Sequence, residues 1–86
     1  MTDSLLEFPC SFPIKAVGKD ENDFQSRIIA LVATQASFDP QQDVRSQPSR
    51  NGRFISVTVT IEAQSQQQID DIYRALHAAD IVLMAL

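Results

Sequence analysis

The one histidine of this 86-residue chain is the first residue to consider for chemistry. His77 follows Tyr73 by four residues, a spacing that places both side chains on one face of a predicted helix. An imidazole can act as a general base or bind a metal ion. The sequence supplies no second histidine, no cysteine at ligand spacing and no evident nucleophile beside it. We therefore expect a structural or surface role for His77, and we predict no catalytic residue, metal ion or cofactor.

The one cysteine, Cys10, is a second candidate for reactivity. A reactive thiol needs electropositive surroundings, and Lys15 is the only cation near it in sequence. Free cysteine commonly packs as a small hydrophobic residue, which is the role we expect here. An internal disulfide is impossible, and the first residues lack the basic start and long apolar core of a signal peptide. A cytoplasmic location is therefore predicted.

Residues 20–23, Asp-Glu-Asn-Asp, supply oxygen atoms of the kind that a hard cation prefers. Their spacing does not follow a calcium-binding loop, which has glycine at its sixth position and glutamate at its twelfth. The same residues suit the start of a helix, where they would cap backbone N–H groups and match the helix dipole. We expect the capping role, with Gly18 just before them closing the first strand and forming a plain turn.

Arginine residues surround the clearest hairpin signal of the sequence. Arg50 and Arg53 flank Asn51-Gly52, and Arg45 lies across the predicted hairpin. This basic tip on an acidic protein would suit an acidic partner. It would equally serve as a charged edge that discourages strand-to-strand aggregation. Both interpretations stay open.

The periodicity of apolar residues predicts the elements that carry these groups. Strands are predicted over residues 10–17, 43–50, 53–63 and 81–86, and helices over about 21–36 and from the Ser65/Gln68 capping box to Asp80. The order β-α-β-β-α-β predicts a ferredoxin-like, split β-α-β fold of the α+β class. It is a four-stranded antiparallel sheet with two helices on one face, formed by a single domain over residues 1–86. The first and third strands are central, and the strand with Pro48 lies at an edge.

The third strand alternates so clearly that one sheet face should be packed and the other open. Five polar or aromatic side chains should point to the open face, namely Phe54, Ser56, Thr58, Thr60 and Glu62. The net charge of −4, the single predicted aromatic and the expected lack of a basic surround on that face argue against nucleic acid. The charge and the lack of a run of about 20 apolar residues also argue against a membrane.

The last predicted strand is apolar on both faces. Ile81, Leu83 and Ala85 alternate with Val82, Met84 and Leu86, so one set would lie uncovered on the open face. Two different elements could cover this apolar set. The preceding segment with Leu5, Leu6 and Phe8 could fold over that face, or a second chain could bind there.

Three stretches of the chain resemble the YbeD-like family of small bacterial proteins. They are Leu5-Leu6-Glu7-Phe8-Pro9 with Phe12, Lys15 and Gly18; Pro48-Ser49 to Gly52 with Phe54 and Ser56-Val57-Thr58; and Asp80-Ile81-Val82 with Met84 and Leu86. The resemblance implies a ferredoxin-like fold similar to the ACT regulatory domains of enzymes of amino-acid metabolism, and it implies no activity. Phe54 stands where the family often has tyrosine, so no hydroxyl role carries over.

The sequence thus favours a non-catalytic cytoplasmic binding or regulatory module. The leading hypothesis is binding of a protein partner or of its own copy as a homodimer, through Arg50, Arg53, Phe54, Val82, Met84 and Leu86. The alternative is an ACT-like sensor of a small metabolite such as an amino acid. That ligand would bind near Gly18 and the first helix, where ACT-like domains hold small ligands, although the neighbouring acidic residues would repel an anion.

Overall fold

A computed structural model of the protein describes residues 6–86. Its elements follow the order β1 (Cys10–Lys19), α1 (Phe24–Ala33), β2 (Val44–Pro48), β3 (Phe54–Ala63), α2 (Gln66–Ala78) and β4 (Met84–Ala85). This β-α-β-β-α-β order confirms the predicted α+β fold. The elements differ from the predicted ones mainly at their ends, and most of all in the last strand.

The four strands form one antiparallel sheet in the order β2-β3-β1-β4. Strands β1 and β3 are central, as predicted, and pair over ten residues from Cys10↔Ala63 to Lys19↔Phe54. Strand β2 lies at one edge, where Pro48 can be accommodated without a full set of ladder hydrogen bonds. Both central strands therefore fix the positions of the side chains that point to either face.

The hydrophobic core lies between the sheet and the two helices. Helix α1 contributes Phe24, Ile28 and Val32, and helix α2 contributes Ile69, Ile72 and Leu76. The core-facing side chains of the central strands are Ile14, Ala16, Val57, Val59, Ile61 and Ala63. Among the described residues no polar or charged side chain is buried. Helix packing on one face alone leaves the other face of the sheet available, as the alternation of β3 predicts.

Gly18 does not form a turn, so that prediction is wrong. Strand β1 continues through Gly18 to Lys19, and Gly18 is buried. A methyl group on Gly18 would overlap the ring of Phe24 and lie 2.5 Å from the carbonyl oxygen of Ile81. Glycine is required here because helix α1 and the segment after α2 both pack directly on the backbone of β1.

Helix α1 is shorter than the predicted 21–36 and begins differently. Asn22 and Asp23 adopt left-handed backbone angles, with φ of 55° and 57°. The Asp23 side chain makes no capping hydrogen bond, and the N–H of Phe24 donates to the carbonyl of Glu21 at 3.2 Å. The predicted side-chain cap is therefore wrong, because the chain makes a tight turn into the helix instead.

Helix α2 begins at its predicted capping box, except that the Gln68 side chain accepts a hydrogen bond from Gln64 and not from the N-cap residue Ser65. The N–H of Gln68 donates to Ser65 Oγ at 3.1 Å. The side-chain oxygen of Gln68 accepts from the N–H of Gln64 at 2.7 Å, and its Nε2 donates to the carbonyl of Gln35 at 2.7 Å. Gln68 thereby joins the start of α2 to the chain that leaves α1.

The hairpin between β2 and β3 forms at Asn51-Gly52, as predicted. Gly52 has a φ of 74°, and the N–H of Ser49 donates to the carbonyl of Phe54 at 2.8 Å. Asn51 Oδ1 accepts from Ser49 Oγ at 2.9 Å and from the N–H of Arg53 at 3.0 Å. These bonds hold the two arginines of the tip on an ordered turn.

The predicted strand over 81–86 is wrong in its length. Residues 80 and 81 form a turn in which the N–H of Val82 donates to the carbonyl of Ala79, and strand β4 contains only Met84 and Ala85. Reciprocal hydrogen bonds between Leu86 and Lys15, at 2.8 and 3.1 Å, continue its pairing with β1. A run that is apolar on both faces has no alternation to mark where a strand begins.

Candidate functional site

The open face of the sheet is the surface that points away from the two helices. The register sets its members: Ser11, Pro13, Lys15, Val17 and Lys19 of β1; Phe54, Ser56, Thr58, Thr60 and Glu62 of β3; Arg45 and Gln47 of β2; and Met84 and Leu86. Within residues 6–86 neither helix covers it, because both pack on the opposite face. We call this surface the open face.

Two rows of side chains run across the open face, perpendicular to the strands. One row is Gln47, Ser56, Val17 and Met84, and the next is Arg45, Thr58, Lys15 and Leu86. Adjacent strands are about 5 Å apart, so each row spans about 15 Å between its outer Cα atoms. The rows place residues from four separate parts of the sequence side by side.

An apolar strip crosses this surface and consists of Phe54, Val17, Met84 and Leu86. Met84 is 52% exposed and Leu86 is 60% exposed. Phe54 and Val17 are half-buried and line one groove of about 240 Å³ beside Gln47 and Ser56. Large apolar side chains exposed together on a small domain indicate a surface that binds something.

Not every residue predicted for this surface lies on it. Val82 precedes the bend at Leu83 and packs, partly buried, against the core, so its predicted place on the open face is wrong. Leu83, a member of the other alternating set, is 58% exposed. Phe54, Met84 and Leu86 lie on the open face as predicted. Their roles in binding remain predictions.

The cations cluster with the apolar strip. Lys15, Lys19 and Arg45 lie on the open face, and Arg50 and Arg53 lie at its hairpin end. We call these five residues the basic group. Among residues 6–86 the one ion pair joins Arg74 to Asp71 on helix α2, so no member of the basic group is paired with a described carboxylate. The sequence predicted the tip with Arg45, Arg50 and Arg53, and the strand register adds Lys15 and Lys19 to it.

The segment before β1 was one of the two possible covers for the open face. Phe8 is partly buried and packs against the core between sheet and helices. Leu6 is 36% exposed, and Leu5 lies outside the described residues. Phe8 therefore does not provide that cover.

A separate cavity of about 250 Å³ lies beside the start of helix α1. Its walls combine apolar side chains with both signs of charge: Phe24, Ile81 and Leu83 with Lys19, Glu21, Asn22 and Asp80. Gly18 itself does not line this cavity, because the ring of Phe24 covers it. The predicted small-ligand position near Gly18 thus has a cavity next to it, one residue further along β1.

The residues considered for catalysis lie at different ends of the molecule. Cys10 pairs with Ala63, two residues before the N-cap of α2, whereas His77 lies near the other end of that helix. The rise of 1.5 Å per residue separates these two ends by about 18 Å. The rings of Tyr73 and His77 lie 6.4 Å apart, and the Tyr73 hydroxyl donates to the carbonyl of Leu86. Burial raises the pKa of Tyr73.

A cavity of about 600 Å³ at the far end of the sheet was not predicted. It includes the carboxylates of Asp39, Asp43 and Glu62 among its walls, next to Cys10. Two of these carboxylates serve the loop itself: Asp39 Oδ1 accepts from the N–H of Gln41, and Asp43 Oδ2 accepts from the N–H of Asp39. No group of three metal-ligating side chains occurs within residues 6–86, at residues 20–23 or elsewhere in that range.

The described helices include none that is long and apolar enough to cross a membrane. The fold and its uncovered face define a small ferredoxin-like α+β domain whose accessible surface is a mixed apolar and basic sheet. The chain belongs to the family described as protein of unknown function DUF493, whose model matches residues 3–86. This assignment confirms the YbeD-like resemblance.

Relatives of similar length are found in several bacteria. A UPF0250 protein of Nitrosomonas europaea is 40% identical over 84 residues, covering 98% of this chain and 97% of the relative. A UPF0250 protein of Paraburkholderia phytofirmans is 42% identical over 89 residues, covering 100% and 97%. The solution structure of protein HP0495 from H. pylori matches with a TM-score of 0.71 at 16% identity, covering 98% of this chain and 88% of that one. This last likeness supports the fold alone.

Proposed function

We propose that this protein is a non-catalytic cytoplasmic module that binds another protein chain through the open face. The observation that carries the proposal is the apolar strip, in which Met84 and Leu86 are more than half exposed beside Val17 and Phe54. A monomer gains nothing from exposing these groups to water, whereas a bound chain would bury them. The separation of Cys10 from His77 supports a role without catalysis.

Site-specific photo-cross-linking tests this proposal. A photoreactive phenylalanine analogue is placed at Thr58, in the centre of the open face, and in a second variant at Arg27, which is exposed on helix α1. We expect adducts to other protein chains from position 58 in bacterial cells, and few from position 27. Met84→Glu in the position-58 variant should reduce those adducts, because it places a charge in the apolar strip. Equal yields from both positions, or none above background, would contradict the proposal.

A second candidate function is the sensing of a small metabolite such as an amino acid. The cavity beside α1 favours it, because Lys19 and Asp80 offer both signs of charge next to the apolar walls of Phe24 and Ile81. An amino acid carries a carboxylate, an ammonium group and a side chain that could match these three surfaces. The ligand class would then be an α-amino acid with an apolar side chain.

Thermal unfolding against the common amino acids tests the second candidate. A ligand present at a hundred times its dissociation constant adds about 2.7 kcal/mol, which raises the midpoint by about 10 °C or more in a domain of this size. Asp80→Ala should remove such a shift, and Asp70→Ala, an exposed aspartate on helix α2, should keep it. If none of the common amino acids raises the unfolding midpoint, the result would count against the sensing function.

A further inference from the structure

We propose that the chain bound by the open face is an acidic segment of another protein, with apolar side chains between its carboxylates. This inference rests on the proposed function and names the chemistry of the partner. It arises from a charge distribution that the overall composition hides. The protein carries a net charge of −4, yet most of its cations are gathered on the open face and its hairpin end.

Five of the seven cationic residues belong to the basic group on the open face and its hairpin end. One side-chain carboxylate, that of Glu62, lies on the open face, opposite Ser11 at the end remote from the hairpin. The other described side-chain carboxylates lie before β1, in the loops and on helix α2, and two of them, Asp20 and Glu21, line a groove beside Arg53 at the edge of the basic group. The hairpin half of the open face is therefore basic although the protein is acidic, and it would attract a segment of opposite charge.

The spacing of the cations sets the spacing expected in the partner. Lys15 and Arg45 flank Thr58 in one row, so their Cα atoms are about 10 Å apart. Lys15 and Lys19 lie on the same side of β1 and are about 13 Å apart. Val17, with Met84 beside it, occupies the space between these two lysines. A partner that fits presents carboxylates about 10–13 Å apart with an apolar side chain between them.

A second copy of this chain fits the open face poorly. A two-fold axis parallel to the strands would bring the hairpin end of one copy against the hairpin end of the other, where the like charges of the basic group repel. A two-fold axis across the strands would set each hairpin end against the remote end of the open face, where Glu62 is the one side-chain carboxylate. Because most of the described carboxylates lie outside the open face, a symmetric dimer on this face leaves the basic group without matching charges.

RNA also fits poorly, although it is acidic. Base stacking on a sheet of this kind uses several aromatic side chains, and the open face has Phe54 alone, half-buried. Asp20 and Glu21 line a groove with Arg53 beside the hairpin, where they would repel a phosphate backbone. A protein segment can place its carboxylates away from these two groups.

Selection from a random peptide library displayed on phage tests the inference on the full-length protein. We expect enriched peptides with a net negative charge and interspersed Leu, Ile or Phe residues. The double variant Lys15→Glu/Arg45→Glu should bind the enriched acidic peptides at least tenfold more weakly, and it should itself select peptides with more lysine and arginine. The control Arg27→Glu/Arg74→Glu changes the net charge by the same amount on the two helices and should keep the preference for acidic peptides.

The outcomes separate this inference from the proposed function. Enrichment of neutral or basic peptides that compete for the open face would overturn the acidic partner while leaving the binding module intact. A finite dimer formed through the open face, measured by sedimentation, would also overturn the acidic partner. Failure to enrich any peptide, or tenfold tighter binding of single-stranded RNA than of the best peptide, would overturn both. Circular dichroism spectra of the variants confirm that each one is folded.

Discussion

The hydroxyl of Tyr73 donates a 2.5 Å hydrogen bond to the main-chain carbonyl of Leu86. This bond ties helix α2 to the edge of the sheet where the apolar strip ends. The same edge is held to β1 by the paired hydrogen bonds between Leu86 and Lys15. The position of Leu86 on the open face thus depends on a residue from the opposite layer of the molecule.

Tyr73→Phe should lower the free energy of unfolding by about 0.5–1.5 kcal/mol, the usual net value of one such hydrogen bond. Urea denaturation followed by circular dichroism measures the change. Arg74→Ala serves as the control, since the exposed Arg74–Asp71 ion pair contributes no more than about 0.5 kcal/mol. A smaller loss for Tyr73→Phe than for Arg74→Ala would show that the hydrogen bond contributes little.

The same tyrosine predicts a dependence of stability on pH. Burial raises the pKa of Tyr73 above its ordinary value of 10.0, so the folded state favours the neutral phenol. A raised folded-state pKa contributes stability that is complete below the unfolded-state pKa and is lost as the pH rises through the folded-state value. Stability should therefore fall above pH 10, and Tyr73→Phe should remove that component. Identical pH profiles of the two proteins, from urea titrations on either side of pH 10, would argue against it.

Gly18→Ala should destabilise the protein by about 1–3 kcal/mol, the usual effect of adding a methyl group to a well-packed site. The methyl group would meet the Phe24 ring and the carbonyl of Ile81. A double-mutant cycle with Phe24→Leu should show coupling, because the smaller side chain relieves part of the overlap. Gly52→Ala is the matched control: its added methyl meets nothing within 4 Å, and its effect comes from a positive φ. That effect should be additive with Phe24→Leu.

Gln68→Ala should cost about 1–2 kcal/mol because the side chain makes two hydrogen bonds to the backbone, at Gln64 and Gln35. Gln67→Ala, one position earlier, removes an exposed bond to Asp71 and should cost about 0.2–0.5 kcal/mol. Thermal unfolding of the two variants measures the difference. Equal losses would mean that the bond to Gln35 does not stabilise the start of α2.

Met84→Ser should change the free energy of unfolding by no more than about 0.5 kcal/mol, because Met84 is 52% exposed and supports no described neighbour in the core. Leu76→Ala, at a fully buried position of helix α2, should cost about 2–5 kcal/mol. Urea denaturation compares them. A large loss for Met84→Ser would mean that Met84 serves the fold rather than a binding partner.

The sequence predicted the central part of the fold because its pattern there has one interpretation. Strand β3 alternates over ten residues, so its apolar set must face the helices, and the observed pairing with β1 buries Val57 and Val59 together with Ile14. The final apolar run has no such alternation, so the turn at residues 80 and 81 could not be placed. Gly18 was predicted to end a strand. A larger residue is excluded there by the ring of Phe24, which lies on another element and is not evident from the sequence around Gly18.

The candidate site was predicted in part. The two hairpin arginines are adjacent in sequence to the turn signal, and Phe54 follows from the alternation of β3. Lys15, Lys19 and Arg45 come from two strands, and only the register between them shows that they lie on one surface. The sequence expected no basic surround on that face, and the structure corrects this expectation.

The segment that bends at Leu83 belongs to both candidate sites. Ile81 and Leu83 line the cavity beside α1, while Met84 and Leu86, immediately after them, form one end of the apolar strip. The N–H of Leu83 donates to the carbonyl of Val17, which is itself part of that strip. If the cavity and the open face both bind, we expect a molecule that shifts residues 81–83 from the cavity side to change the affinity of the open face for its partner. By thermodynamic linkage, the partner would then change the affinity of the cavity by the same factor.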